Sequence, residues 1–308
     1  MEIAGPATSL EQMARGAPRT RRQSVGFIFK RIWRLRAGVI GALVVLFMVF
    51  LAIFAPVVSP HDPYEQDILA RLTPPVWADG GSTDFILGTD RVGRDVLSRL
   101  IFGSRVSLTV GAVAVGIAAT IGVFLGLLGG YYGRGLDSLV NNAVNLMMAF
   151  PFMLLAMATV AVLGPSFQNM IIVLGFTGWP IYTRVVRAET LRLREIDFVS
   201  AARALGMTNV RIITRHVLPN IYNAIIVMAS LEVARMILLE SFLSFLGLGV
   251  QPPTPAWGSL LAEGRLYIFD MWWLATFPGL AIFMTTLGIN LTGDALRDLL
   301  DPRMRNLD

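Results

Sequence analysis

Long uncharged runs alternate with charged segments along this chain of 308 residues. The run 138–183 contains no charged residue and is too long for one membrane span of about 20 residues, so it predicts two spans. Four further apolar runs are each long enough for one span: 37–58, 106–133, 219–247 and 271–291. The pattern therefore predicts an all-α polytopic membrane protein with six transmembrane helices.

Glycine and proline mark where these spans turn, bend or approach one another. The Gly-Pro-Ser sequence at 164–166 predicts the turn between spans three and four. Pro151 predicts a kink in span three, and Pro180 predicts one near the end of span four. Gly122 and Gly126, four residues apart, predict close contact between span two and another helix.

The predicted spans divide the chain into five parts. These are a basic N-terminal tail (1–36), a first transmembrane helix (37–58), a hydrophilic loop (59–104), a core of five transmembrane helices (105–293) and a C-terminal tail (294–308). Near the end of the loop, Asp95 and Arg99 are spaced to pair on one helix. Apolar residues share one face of this segment, which predicts a helix lying on the membrane surface: Val96, Leu97, Leu100 and Ile101.

Basic residues are concentrated before the first span and between spans four and five, where arginines outnumber acidic residues. Because positive charge favours the cytoplasmic side, we expect both termini and the segment 184–215 to be cytoplasmic and the loop 59–104 to be external. The loop also carries arginines, but long loops are poorer reporters of orientation. The high isoelectric point, about 10.1, reflects these membrane-flanking residues and does not indicate nucleic-acid binding.

Several kinds of chemistry are excluded by composition. The chain has no cysteine and only two histidines, which excludes disulfides, thiolate metal sites, cysteine nucleophiles and a histidine-rich metal site. No nucleophile–base arrangement and no H-E-x-x-H pair is present either, so we expect no metal site and no catalytic residue. The one lysine, Lys30, does not lie in a phosphate-binding G-x-x-x-x-G-K-[ST] loop, and the glycine-rich stretch 126–135 lacks a lysine. No cofactor is expected in this chain, and any ATP that drives its function must bind another polypeptide.

Three charged residues, Glu232, Arg235 and Glu240, interrupt the predicted fifth span. Charges at membrane depth usually have partners and face a bundle interior or an aqueous path. Glu232 and Arg235 are spaced three apart and can pair on one helix. Two interpretations remain open: a structural pair that locks this helix to its neighbours, or residues that line a pathway.

A polar, arginine-containing segment, residues 197–220, separates the long apolar runs and is named the polar island here. Gly206 is suited to the positive φ that ends a helix, and Thr208 can cap the next helix. Ala201 and Ala202 are small, so another protein could approach that face closely. The alternative is a surface loop held near lipid headgroups by its arginines.

The island resembles the EAA loop of ABC-importer permeases. The resemblance rests on Ser200-Ala201-Ala202, three residues, Gly206, nine residues, and then His216-Val217-Leu218-Pro219. Ser200 replaces the glutamate of the family pattern, and His216 replaces its isoleucine. Stretches at 87–108, 149–156, 244–264 and 293–303 are also similar to dipeptide, oligopeptide and nickel permeases.

In that family this loop docks as a coupling helix on a cytoplasmic ATPase. The resemblance implies a coupling loop at 189–218 between helices four and five, with coupling through residues 197–219. The residues that it implies for ATPase coupling are Ser200, Ala201, Ala202, Arg203, Leu205, Gly206, Arg211, Leu218 and Pro219.

The resemblance identifies the chain as a non-catalytic permease subunit of a binding-protein-dependent ABC importer in a bacterial or archaeal inner membrane. It implies a homologous second permease subunit, two ATPases that bind ATP and magnesium, and an external solute-binding protein. The expected cargo is a peptide or a related small solute, with nickel a further candidate. The rival interpretation is a self-sufficient secondary transporter or channel that uses Glu232, Arg235 and Glu240; an intramembrane enzyme is a weaker rival.

Overall fold

The computed structural model describes residues 21–300, with side chains from residue 36 onward. Within that range the regular structure is helical, and the single β-bridge joins Thr89 to Asp95. The α-helices in chain order are α1 (Arg21–Ile53), α2 (Ala55–Val58), α3 (Val96–Tyr132), α4 (Arg134–Ala149), α5 (Phe152–Leu163), α6 (Phe167–Arg194), α7 (Asp197–Ala204), α8 (Asn209–Ile212), α9 (Leu218–Phe245), α10 (Trp257–Gly264) and α11 (Trp273–Leu300).

Helix α3 runs the length of the bundle and defines its two ends. Its first turns contact α10, where the guanidinium of Arg99 donates a hydrogen bond to the carboxylate of Glu263. Its last turn contacts the polar island, because Tyr131 donates a hydrogen bond to Asn209. We call these the loop end and the island end.

The surface helix expected before span two is instead the first part of α3. Asp95 accepts a hydrogen bond from the backbone nitrogen of Ser98, which satisfies a free N–H group at the helix start. Val96, Arg99 and Ile101 are buried, so this segment packs against the rest of the chain and is not a separate surface helix. The expected Asp95–Arg99 pair is also wrong, because Arg99 pairs with Asp90 and Glu263.

Pro151 interrupts the predicted third span, whereas Pro180 does not interrupt the fourth. The chain bends by 82° between α4 and α5, where Phe150 and Pro151 are extended, so the predicted kink at Pro151 is confirmed. Helix α6 instead continues through Pro180 as one helix. Gly164, with φ +80°, ends α5 and makes the predicted turn into α6.

The glycines of α3 let it pack tightly against α6. A Cβ on Gly122 would lie 2.6 Å from the carbonyl oxygen of Trp179, and one on Gly126 would lie 2.9 Å from that of Thr183. Gly130 extends the stripe by one more turn, since its Cβ would lie 2.7 Å from Cβ of Thr190. The predicted close approach at Gly122 and Gly126 is therefore confirmed.

Within residues 21–300, three helical segments are long and apolar enough to cross a membrane: Arg36–Ile53, Val96–Tyr132 and Trp273–Leu300. The bent pair α4–α5 meets the same requirement if it forms one broken span. Helices α6 and α9 have 28 residues each but include several charged side chains. The chain is thus an all-α polytopic membrane protein, while the count of six spans stays a prediction.

Several helix bounds differ from the predicted divisions. Helix α1 begins at Arg21, well before the predicted start of the first span, and α11 continues to Leu300, beyond the predicted core boundary at 293. The second island helix is not separate, because α8 passes through a π-helical turn (Ile213–Val217) directly into α9. The remaining parts of the predicted tails, 1–20 and 301–308, lie outside the described residues.

Candidate functional site: the polar island and the charged helix

The polar island is fixed to the bundle by its own apolar side chains. Val199 and Ala202 on α7 are buried against Tyr131, Ile212 and other residues of the island end. Ala202 was expected to face a partner protein, but it is 5% exposed and packs inside this chain. Its small size lets α7 lie close to its own bundle.

The joint after α7 follows from Gly206. Its φ is +80°, its backbone nitrogen bonds to the carbonyl oxygen of Arg203, and the nitrogen of Met207 bonds to that of Ala202. This pair of hydrogen bonds is the Schellman termination that a glycine at this position favours. Thr208 occupies the N-cap position of α8, but its side chain makes no capping hydrogen bond.

Tyr131 connects the island to the last turn of α3, a role that the sequence did not reveal. Its hydroxyl donates to Oδ1 of Asn209 over 3.1 Å. The guanidinium of Arg203 lies 5.9 Å from the centroid of its ring, within cation–π range. The island therefore keeps a fixed position relative to α3, and Asn209 is not a free surface residue.

The outward side of the island carries exposed apolar side chains among arginines. Leu205 is 84% exposed and Val210 is 66% exposed. The other residues implied for coupling also lie at the surface, apart from buried Ala202 and half-buried Leu218: Ser200, Ala201, Arg203, Gly206, Arg211 and Pro219. An apolar patch rimmed by charge is typical of a protein contact surface.

Two of the three charges in α9 pair with each other. Nη1 of Arg235 lies 3.0 Å from Oε2 of Glu232, which confirms the predicted pair. The Glu232 side chain is 12% exposed, whereas that of Arg235 is 47% exposed. The pair therefore joins a carboxylate inside the bundle to a guanidinium at its surface.

Glu240 does not belong to this pair. Its carboxyl group has no exposed surface and accepts hydrogen bonds from the hydroxyls of Ser107 (2.8 Å), Ser241 (3.2 Å) and Ser244 (2.8 Å). Because Ser107 lies on α3, Glu240 links α9 to α3. Its surroundings favour a structural role at this site.

Arg235 lines a cleft at the break between α4 and α5. The cleft contains about 620 Å³ of empty space, part of which is open solvent, and its walls come from α4, α5, α6 and α9. Most lining side chains are apolar, and Arg235 is the only charged one.

A cluster of four charged side chains closes the loop end of the bundle. Arg94 lies 2.7 Å from Asp90 and 3.1 Å from Glu263, and Arg99 bonds to the same two carboxylates. Burial would raise the pKa of Asp90, but attraction to Arg99 and hydrogen bonds from backbone N–H groups hold it below its ordinary value. The cluster fixes the loop and α10 to α3.

No metal-binding group emerges in the part of the chain from 21 to 300. Among those residues, no three histidine, aspartate or glutamate side chains are placed together to hold a metal ion. The acidic residues of the loop-end cluster are instead occupied by the two arginines. The sites described above consist of packed apolar side chains and charge pairs.

Comparison with known proteins gives consistent matches along most of the chain. The family described as "Binding-protein-dependent transport system inner membrane component" matches residues 122–306, and "N-terminal TM domain of oligopeptide transport permease C" matches residues 27–75. The chain is 45% identical over 281 residues to the di/tripeptide transport system permease protein DppC of Pseudomonas aeruginosa, covering 90% of this chain and 93% of that protein.

A second relative and one solved structure extend the comparison. The chain is 43% identical over 288 residues to the dipeptide transport system permease protein DppC of Escherichia coli, covering 94% of this chain and 95% of that protein. An inward-facing structure of the MetNI methionine ABC transporter has the same fold over 66% of this chain and 96% of its own, with a TM-score of 0.54 and 20% identity. On the family matches and the identity to both permeases, the chain belongs to the inner-membrane permease components of binding-protein-dependent transport systems.

Proposed function

We propose that this chain is one of two permease subunits of an ATP-driven peptide importer and forms half of the translocation pathway. The relatives described above are named as dipeptide and di/tripeptide permeases, which supports peptides over nickel as the cargo. The protein itself carries out no catalysis in this proposal. ATP and magnesium bind to two separate ATPase subunits, and an external solute-binding protein delivers the peptide.

The observation that carries the coupling proposal is the exposed side of the polar island. Ala201 lies on α7 and Leu205 directly follows that helix. The buried side chain of Val199 holds α7, and the Tyr131–Asn209 bond holds the following helix, α8. A rigid helix with an apolar surface can transmit movement of a docked partner into the bundle. We propose that closure of the ATPases moves residues 197–219, and that α3 and α9 carry this movement into the pathway.

The orientation follows from the same proposal. The island end faces the cytoplasm, together with both termini, and the loop end faces outward toward the solute-binding protein. The concentration of arginines in the island agrees with this arrangement. The rival transporter or channel that needs no ATPase leaves the exposed island without a function.

The test is transport by the reconstituted importer. The chain is placed in proteoliposomes with its second permease, its ATPases and its solute-binding protein, and uptake of radiolabelled Ala-Phe is measured. We expect uptake that requires ATP and every subunit. Uptake by this chain alone, driven by an ion gradient, would establish the secondary-transporter alternative instead.

A further inference from the structure

The cleft at the break between α4 and α5 combines one cation with apolar walls. Phe150 and Pro151 are extended and exposed, so the helical hydrogen-bond ladder stops at a position within a predicted span. Non-helical backbone at membrane depth is tolerated where it is covered by protein or faces an aqueous cavity. The break therefore belongs on the pathway side of this subunit, where the second permease would complete the enclosure.

Arg235 is the chemically distinctive group in this cleft. A guanidinium has five N–H donors, and among the described residues only Glu232 accepts a hydrogen bond from Arg235, through Nη1. Nearly half of the side chain is exposed, so its other donors can reach a ligand. A planar guanidinium in an environment of low polarity binds a carboxylate strongly, through two parallel hydrogen bonds.

The remaining walls are suited to an apolar side chain of variable shape. Met147, Met148 and Met236 contribute flexible thioethers, and Phe150 and Leu239 add apolar surface. The one hydroxyl in the lining, that of Thr177, donates to the carbonyl oxygen of Leu174.

We propose that this cleft is a transient substrate site in which Arg235 binds the C-terminal carboxylate of the peptide while the methionine-rich wall contacts its last side chain. This inference rests on the proposed peptide transport. Glu232 limits the affinity, because it competes with the peptide carboxylate for the same guanidinium. A pathway site needs that limit, since a tightly held peptide would not be released.

Binding is measured on the assembled importer in lipid nanodiscs without its solute-binding protein. Equilibrium binding of radiolabelled Ala-Phe is compared with that of its C-terminal amide, which lacks the carboxylate. We expect the wild type to prefer the acid by about tenfold or more. Arg235→Gln should abolish this preference, and Arg235→Lys should keep part of it because it retains the charge without the planar fork.

Glu232→Gln separates a substrate role from a purely structural one. If Glu232 competes with the peptide, its removal should raise the affinity for Ala-Phe severalfold, whereas a structural pair predicts that both single variants weaken binding alike. Arg184→Gln is the matched control, because Arg184 lies on α6, outside the cleft lining, and bonds to Asn145. It should bind Ala-Phe as the wild type does.

Several results would overturn the site. The first is that the wild type binds no Ala-Phe at millimolar concentration. The second is that Arg235→Gln keeps the preference for the acid over the amide, and the third is that Glu232→Gln loses this preference. Displacement of bound Ala-Phe by added phosphatidylglycerol would assign the cleft to lipid instead. ATP-driven uptake of Ala-Phe by the wild type, measured in parallel, tests peptide transport itself. If the wild type takes up Ala-Phe but Arg235→Gln binds it as the wild type does, only the proposed site is refuted.

Discussion

The contact between α3 and α6 is sensitive to a single methyl group. In Gly122→Ala the new Cβ would lie 2.6 Å from the carbonyl oxygen of Trp179, and still closer to Cβ of Tyr182. Ordinary contact begins near 3.4 Å and Cβ of Tyr182 would be 2.4 Å away, so the helices would have to separate locally by about 1 Å. Because backbone cannot move aside as a flexible side chain can, we expect a destabilisation of about 1–3 kcal/mol.

Gly116→Ala is the matched control on the same helix. A Cβ at Gly116 would meet no atom within 4 Å, so this substitution adds the same methyl group to open space. Both variants gain the roughly 1 kcal/mol by which alanine favours a helix over glycine, so their difference isolates the clash.

The measurement is thermal unfolding of both variants, purified with their partner subunits in detergent. We expect the Tm of Gly122→Ala to lie roughly 2–10 °C below that of Gly116→Ala. Equal Tm values would show that α3 and α6 do not pack as closely as described.

Three further predictions concern charge. Arg235→Gln should lower the Tm more than Glu232→Gln does, because it leaves a buried carboxylate unpaired, and the double variant should recover most of the lost Tm. Additive Tm losses would argue against a coupled pair. The lowered pKa of Asp90 contributes stability that is complete above pH ~4 and is lost as the pH falls further, so the protection factors of the loop amides should fall in acid. Asp90→Asn should remove most of this pH dependence, and a variant with the wild-type pH profile would contradict the cluster. Reporter fusions at Met207 should read cytoplasmic and fusions at Gly80 external, and the reverse would refute the orientation.

Local sequence patterns predicted the features whose causes are local. The length of the uncharged runs was sufficient to predict the long helices. The presence of a glycine, which tolerates positive φ, was sufficient to predict the turn at Gly206. The spacing of Gly122 and Gly126 was enough to indicate a close helix contact, although it did not identify α6 as the partner.

The errors arose where a side chain has its partner far along the chain. Arg99 was paired with the nearby Asp95, but Glu263 is 164 positions away and joins it only in the folded bundle. Without that partner, the amphipathic start of α3 has the pattern of a surface helix. Likewise, the small size of Ala202 fits both an external partner and its own bundle, and only the packing of α7 distinguishes them.

That packing changes which residue should be used to test coupling. Ala202→Asp would place a carboxylate inside this chain and damage its own fold, and Asn209→Ala would remove the bond to Tyr131. Leu205 is 84% exposed, so Leu205→Asp changes the outward surface alone. Leu69 is 98% exposed in the loop and provides the same substitution at the opposite end of the bundle.

The most direct test of ATPase coupling is co-purification of the ATPase subunits with these two variants. A carboxylate buried in the contact without a partner costs at least about 1–3 kcal/mol, which corresponds to roughly tenfold or more weaker association. We predict that Leu205→Asp inserts into the membrane but loses its ATPases, together with the ATP hydrolysis that loaded solute-binding protein stimulates, while Leu69→Asp retains its ATPases at the wild-type level. Retention of the ATPases by Leu205→Asp, with hydrolysis at the wild-type rate, would contradict coupling through the polar island.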